Sequence, residues 1–262
     1  MIDRILPEEA IAVETREDSA NGVLFPAERA ALGRAVEKRR REFTTGRTCA
    51  REAFSRLGVP SLPVTSGWGG EPQWPSGLVG SITHCDGYRA CVVARSTDLA
   101  TVGIDAEPNA PLPDGVLAEI ARSEELPWLS HLKHDVPGAH WDRVLFSAKE
   151  SVYKAWYPLA KRWLGFEDTI LKVQPSTGIF HARLLVSGPV LGGRRLTGFS
   201  GRWLVQGGLV LTAVALPAPG RGERRVGVRP PFDPGRSLKT HRRARAAWSR
   251  ARLDQLDGDV RS

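Results

Sequence analysis

The sequence predicts an α+β fold, a pseudo-twofold pair of similar α+β halves. Two patterns carry that prediction: a long breaker-poor stretch with helical spacing precedes a set of short alternating strand patterns, and this order occurs twice. No residue-level repeat accompanies it. The divisions that follow are residues 1–104, residues 105–216 with the candidate chemistry, and a basic tail at 217–262 that reads as disordered.

Residues 27–57 place Ala31, Ala35, Phe43, Ala50, Phe54 and Leu57 at roughly helical spacing, with a break expected near Thr44-Thr45-Gly46. Gly58 and Pro60 end that helix. Pro, Gly and Ser then dominate residues 61–77, where Trp68 and Trp74 should act as apolar anchors that pin a loop. Strands follow at 78–83, 88–95 and 101–107, the first two joined by a hairpin turn at Asp86-Gly87. A short helix is expected near 114–121, then a loop at 122–140. A second long helix runs from Trp141 to about Trp163, and Pro158 should kink it or end it early. Strands at 169–173, 179–186, 201–205 and 209–216 complete the body, with turns at Ser176-Thr177-Gly178 and Gly207-Gly208.

With 262 residues, 41% of them hydrophobic and 25% charged, the chain can bury one large core or two small ones, so wholesale disorder is excluded. The opening Met1-Ile2-Asp3-Arg4, soon followed by Glu8 and Glu9, lacks a signal-peptide pattern, and the apolar run 209–217 is too short to span a bilayer. A cytoplasmic location with no membrane partner is the expectation. Cys49, Cys85 and Cys91 are odd in number and lack C-x-x-C spacing, which argues for free thiols. Of the net charge of +8, residues from Pro217 onward carry +7, with twelve Lys/Arg against five Asp/Glu, so the body is nearly neutral. Nucleic-acid binding through the tail is a rival reading, and the neutral body counts against it.

Three segments concentrate chemistry-bearing residues. In Val102-Gly103-Ile104-Asp105-Ala106-Glu107, strand alternation puts Asp105 and Glu107 on one face, half of an oxygen-ligand site for a hard cation; a solvated strand end fits the same spacing. In the helix around Phe146 to Trp156, Leu145, Ala148, Val152 and Trp156 form an apolar stripe while Glu150 and Lys154 sit four residues apart. They fit a surface ion pair as well as a third carboxylate with a phosphate-facing cation. In Gly80-Ser81-Ile82-Thr83-His84-Cys85, His84 could bind phosphate or serve structurally, and Cys85 points away from it and reads as inert. The basic series Lys38, Arg39, Arg40, Arg41, Arg47 and Arg51 suits either phosphates or a solvated helix face.

Together the blocks Gly80 to Cys85, Val102 to Pro108 and Phe146 to Trp156 resemble the Sfp-type 4′-phosphopantetheinyl transferases, most of all the actinobacterial enzymes serving polyketide, fatty-acid and nonribosomal peptide synthases. Likeness extends over most of residues 30–216. The resemblance implies the fold of that family, two halves with coenzyme A between them. It implies magnesium, with manganese as an alternative, held by Asp105, Glu107 and Glu150 with a backbone contact at Ala106. It further implies Glu150 as base for the serine of an apo acyl or peptidyl carrier protein and Lys154 as the group that stabilises or protonates departing adenosine 3′,5′-bisphosphate. Arg39, Arg47, Ser81, His84, Lys149 and Lys154 are the implied coenzyme A contacts, and a monomer is implied because one chain supplies both halves. Where relatives often carry a lysine just before Gly-Glu-Pro, this chain reads Gly67-Trp68-Gly69-Gly70-Glu71-Pro72, so that grip is lost or met by another residue. An inactive relative that only binds coenzyme A or a carrier is the remaining alternative.

Overall fold

The computed structural model describes residues 1–19, 22–33 and 35–220, which leaves nearly all of the predicted tail outside the described residues. Helix α1 (Pro26–Leu32) starts on a proline, where a missing N–H costs nothing, and stops at Gly33 with φ of 50°. Helix α2 (Glu37–Arg56) then runs unbroken. The predicted break at Thr44-Thr45-Gly46 is therefore misplaced and belongs at Gly33. Inside α2 the Thr45 hydroxyl donates to the Arg41 carbonyl at 2.9 Å and Thr48 to Thr44 at 3.0 Å, so both threonines are absorbed by the helix. Gly46 serves packing, since a β-carbon there would stand 3.0 Å from Ile82.

Strand β1 (Ile11–Thr15) joins β4 (Leu78–Cys85) and β5 (Tyr88–Arg95) in an antiparallel sheet of order β1-β5-β4. Between α2 and β4, β2 (Thr65–Ser66) and β3 (Pro72–Gln73) pair as a small hairpin. Trp74 packs edge-on against Phe54 at 6.3 Å, as an anchor should, whereas Trp68 is fully exposed and anchors nothing. Strand β6 (Leu99–Pro108) runs continuously through residues 104 and 105 and lies at the edge of the second sheet. Helices α3 (Val116–Ile120), α4 (Leu126–Asp135) and α5 (Trp141–Ala160) follow. The predicted loop at 122–140 thus contains a helix, because Leu129 and Leu132, three residues apart, reach the core beside α5. Pro158 sits in the last turn of α5, which ends at Lys161 in the left-handed conformation. Strands β7 (Thr169–Gln174), β8 (Ile179–Leu184), β9 (Val190–Leu191), β10 (Arg194–Arg195), β11 (Gly198–Gln206) and β12 (Leu209–Pro217) complete the chain, and the five-stranded sheet has the order β6-β12-β11-β8-β7.

Side-chain alternation builds three cores from these parts. Cys91 and Val93 of β5 face α2, while Tyr88, Ala90, Val92 and Ala94 face Val102, Ile104 and Ala106 of β6 across a core shared by both sheets. The third core lies between α5 and the other face of the five-stranded sheet, around Trp156, Leu145 and Phe180. Each such side chain, fully buried, contributes about 1.5–3 kcal/mol. Where β4 meets β6, side chains replace a strand ladder: the Ile104 and Ala106 N–H groups donate to the Ser81 and Thr83 hydroxyls, both at 3.1 Å. The two sheets are fastened at this seam.

Candidate active site

Helix α5 crosses the face of β6 that carries Thr101, Gly103, Asp105 and Glu107. Gly103 makes the close approach possible, because a β-carbon there would fall 2.1 Å from the Ser151 carbonyl oxygen. The helix presents Arg143, Ser147, Glu150 and Lys154 at intervals of four, three and four residues, one polar stripe beside the apolar one. Lys154 Nζ donates to Asp105 Oδ1 at 2.6 Å and Arg143 Nη1 to Glu107 Oε2 at 3.0 Å. Asp105, Glu107 and Glu150 are only 4%, 4% and 5% exposed. Burial at that level is costly for a carboxylate unless cations or donors offset it.

A cleft of about 940 Å³ opens beside this cluster, between α2 and β4 on one side and α5 on the other. Its walls include five of the six expected coenzyme A contacts, Arg39, Arg47, Ser81, His84 and Lys154, together with Glu150. Arg39 donates from Nη1 to His84 Nε2 at 2.8 Å, with Glu42 at 3.9 Å from the same ring nitrogen. Arg47 donates from Nε to the Val64 carbonyl at 3.1 Å, and its guanidinium lies 3.6 Å over the Phe43 ring. Burial pulls the Arg47 guanidinium down to about 10, which leaves it charged at neutral pH. Ser81 faces the cleft but also accepts the Ile104 N–H, so it fixes the wall it belongs to.

Lys149 does not reach the cleft, which corrects its expected place among the coenzyme A contacts. Its ammonium is enclosed by the carbonyls of Ile120 at 2.8 Å and Phe166 at 3.0 Å and by Glu125 Oε2 at 2.8 Å. Adjacent helix positions point about 100° apart, so while Glu150 faces the cleft its neighbour faces α3 and α4. Burial lowers the Lys149 pKa and Glu125 opposes that shift. We expect Lys149→Met to leave Glu125 buried without its cation and to destabilise the fold by about 3–5 kcal/mol in urea denaturation. An unchanged midpoint would refute this bracing role. Ala106 offers backbone alone, fully buried, and its N–H is taken by Thr83. The three thiols are buried and free, and burial raises the pKa of each, so none is an activated nucleophile.

Two residues of this site escape a sequence reading. Thr83 lies between Ala106 N, Asp105 Oδ1 at 3.3 Å and Lys154 Nζ at 3.4 Å, a crossing that only the juxtaposition of β4 and β6 creates. Arg143 clamps Glu107 and also donates to the Ala110 and Pro111 carbonyls at 3.1 and 2.9 Å, tying the exit of β6 to α5. Its place seven residues before Glu150 and eleven before Lys154 was the available signal.

The donor set suits a hard divalent cation, being carboxylate oxygen, and the Asp105 Oδ2 atom is buried without a hydrogen-bond partner. Glu107 and Asp105 are held by Arg143 and Lys154, and among the described residues no three His, Cys, Asp or Glu side chains are grouped as a ligand set. Also among the described residues, no helix is long and apolar enough to cross a membrane.

Comparison with known proteins gives this geometry its context. Residues 27–94 match the family model of the 4′-phosphopantetheinyl transferase N-terminal domain, and residues 101–194 match that of the 4′-phosphopantetheinyl transferase superfamily. The chain is 54% identical over 222 residues to the 4′-phosphopantetheinyl transferase Svp of Streptomyces mobaraensis, covering 84% of this chain and 90% of the relative. It is 46% identical to PptT of Mycobacterium tuberculosis and 45% identical to Npt of Nocardia iowensis, both also 4′-phosphopantetheinyl transferases, over 82% of this chain and 98% and 99% of theirs. The chain therefore belongs to the 4′-phosphopantetheinyl transferase family.

Proposed function

We propose that this chain moves the 4′-phosphopantetheine arm of coenzyme A to a serine of an apo acyl or peptidyl carrier protein and releases adenosine 3′,5′-bisphosphate. The observation that carries the reading is the single cleft that gathers Arg39, Arg47 and His84 toward one part and Glu150 with Lys154 toward another. The first group suits phosphate recognition, and the second pairs a buried carboxylate with a cation beside Asp105.

In this reading Glu150 accepts the serine hydroxyl proton as the serine oxygen attacks the pantetheine-side phosphorus of the pyrophosphate. The bridging P–O bond breaks, and Lys154 holds or protonates the oxygen that leaves. Asp105, Glu107 and Glu150, which do not stand grouped as a ligand set, would be the residues to hold magnesium, or manganese in its stead, and a cation bound there would neutralise pyrophosphate charge. Serine needs that help, since it is a weak nucleophile at neutral pH. No covalent enzyme intermediate is required, in keeping with the buried thiols. We further propose that one chain is sufficient, because both walls of the cleft come from it, and that it works in the cytoplasm, where carrier proteins and coenzyme A meet.

The test incubates purified protein with apo acyl carrier protein, coenzyme A and magnesium, with and without chelator, and follows the carrier by intact mass spectrometry. One phosphopantetheine arm should be gained, and chelator should suppress the gain. No gain across fatty-acid, polyketide and peptide carriers would favour a binding-only relative.

A further inference from the structure

Among the described residues Trp68 is the most exposed large apolar side chain, at 101% of its reference area. An indole left wholly in water forgoes about 2–3 kcal/mol of burial, so its position calls for an occupant. The hairpin that presents it is firmly built. Gly67 N–H donates to the Glu71 carbonyl at 2.7 Å and Gly70 N–H to the Gly67 carbonyl at 3.0 Å. The Glu71 carboxylate accepts from Gly69 N–H at 3.0 Å and from Gln73 Nε2 at 2.7 Å.

Two further contacts place this turn over the cleft. At its foot, Arg47 Nη2 donates to the Ser66 hydroxyl at 3.4 Å. At its tip, a β-carbon on Gly69 would stand 3.3 Å from the Tyr157 hydroxyl of α5. The turn thus reaches from the cationic wall of α2 toward α5, and the fully exposed Trp68 is one of the residues lining the cleft whose walls also carry Arg39, Arg47 and His84.

We infer that Trp68 stacks on the adenine base of coenzyme A and is a specificity determinant for the nucleotide end of that substrate; this rests on the transferase reading above. A flat aromatic face on the same cleft as phosphate-type cations matches a nucleotide, which joins a π-surface to phosphates, whereas the pantetheine arm carries no ring. The indole also stands two residues before Gly70-Glu71-Pro72. A docked carrier protein is the competing occupant, and the closeness of Arg47 to the turn favours the nucleotide.

The test uses the full chain with Trp68→Ala and Trp68→Phe. Steady-state transfer is measured against coenzyme A and against apo acyl carrier protein, and adenosine 3′,5′-bisphosphate binding is measured by calorimetry. In Trp68→Ala the KM for coenzyme A should rise about tenfold and adenosine bisphosphate should bind about tenfold more weakly, within the range of one base–aromatic stack. Turnover and the KM for carrier should hold, and Trp68→Phe should retain most of the affinity. An unchanged coenzyme A KM in Trp68→Ala, or a rise confined to the carrier, overturns the inference. If the wild-type protein transfers nothing, the transferase reading falls by itself, and the calorimetric comparison still decides whether Trp68 holds a nucleotide.

Discussion

Asp105→Asn is expected to lower carrier modification by about 10³-fold while the urea midpoint hardly moves. The amide keeps the size of the carboxylate, so packing against Thr83 and α5 survives, but it removes the charge that Lys154 contacts at 2.6 Å and the oxygen that remains unpartnered in the buried site. Losses of 10²–10³-fold are typical when one preorganised polar group at a reacting centre is deleted, and a residue in the proposed metal-holding role should stand at the upper end. Lys154 is partly exposed to the cleft, so water can take over its solvation once its partner is neutral. Mass spectrometry of the carrier against time, beside denaturation of the same preparation, checks both halves of the expectation. Retention of more than about a tenth of the activity would break the assignment of Asp105 to the reacting centre.

Lys154→Ala is expected to reduce kcat by about 10²-fold and leave the KM for coenzyme A within about threefold, the pattern of a group whose contact strengthens as the leaving oxygen gains charge. Part of the loss will pass through Asp105, which then lacks its cation. A double-mutant cycle with Asp105→Asn separates the two contributions, because groups in contact couple. Equal changes in kcat/KM and KM, with kcat preserved, would make Lys154 a simple binding group.

The legible parts of this protein were those whose signal lies within one element. Alternation along residues 102–107 put Asp105 and Glu107 on one face and Val102 and Ile104 on the other, and the structure shows that division because the strand is packed on both sides. The four-residue spacing of Glu150 and Lys154 was equally readable. Less legible was what neighbouring elements add. Lys149 carries a side chain that belongs in a phosphate site, yet helix geometry turns it toward Glu125. Strand β1 shows only Ile11 and Val13 as an alternating pair, too short a pattern to announce a strand without β5 beside it. The break in the first long helix was sought at Gly46, where glycine answers a close contact, and occurs at Gly33, where it answers a backbone angle. Composition cannot distinguish those two uses.

The seam between β4 and β6 has a consequence outside catalysis. Strand β6 is the outermost strand of its sheet on that side, and an outermost strand with open N–H groups is a template on which other chains can add. The Ser81 and Thr83 hydroxyls occupy two of those N–H groups from the side, without presenting a further row of backbone donors and acceptors at the same line. The fastening that shapes the cleft therefore also blunts a margin on which other chains could add, through the same two small polar side chains.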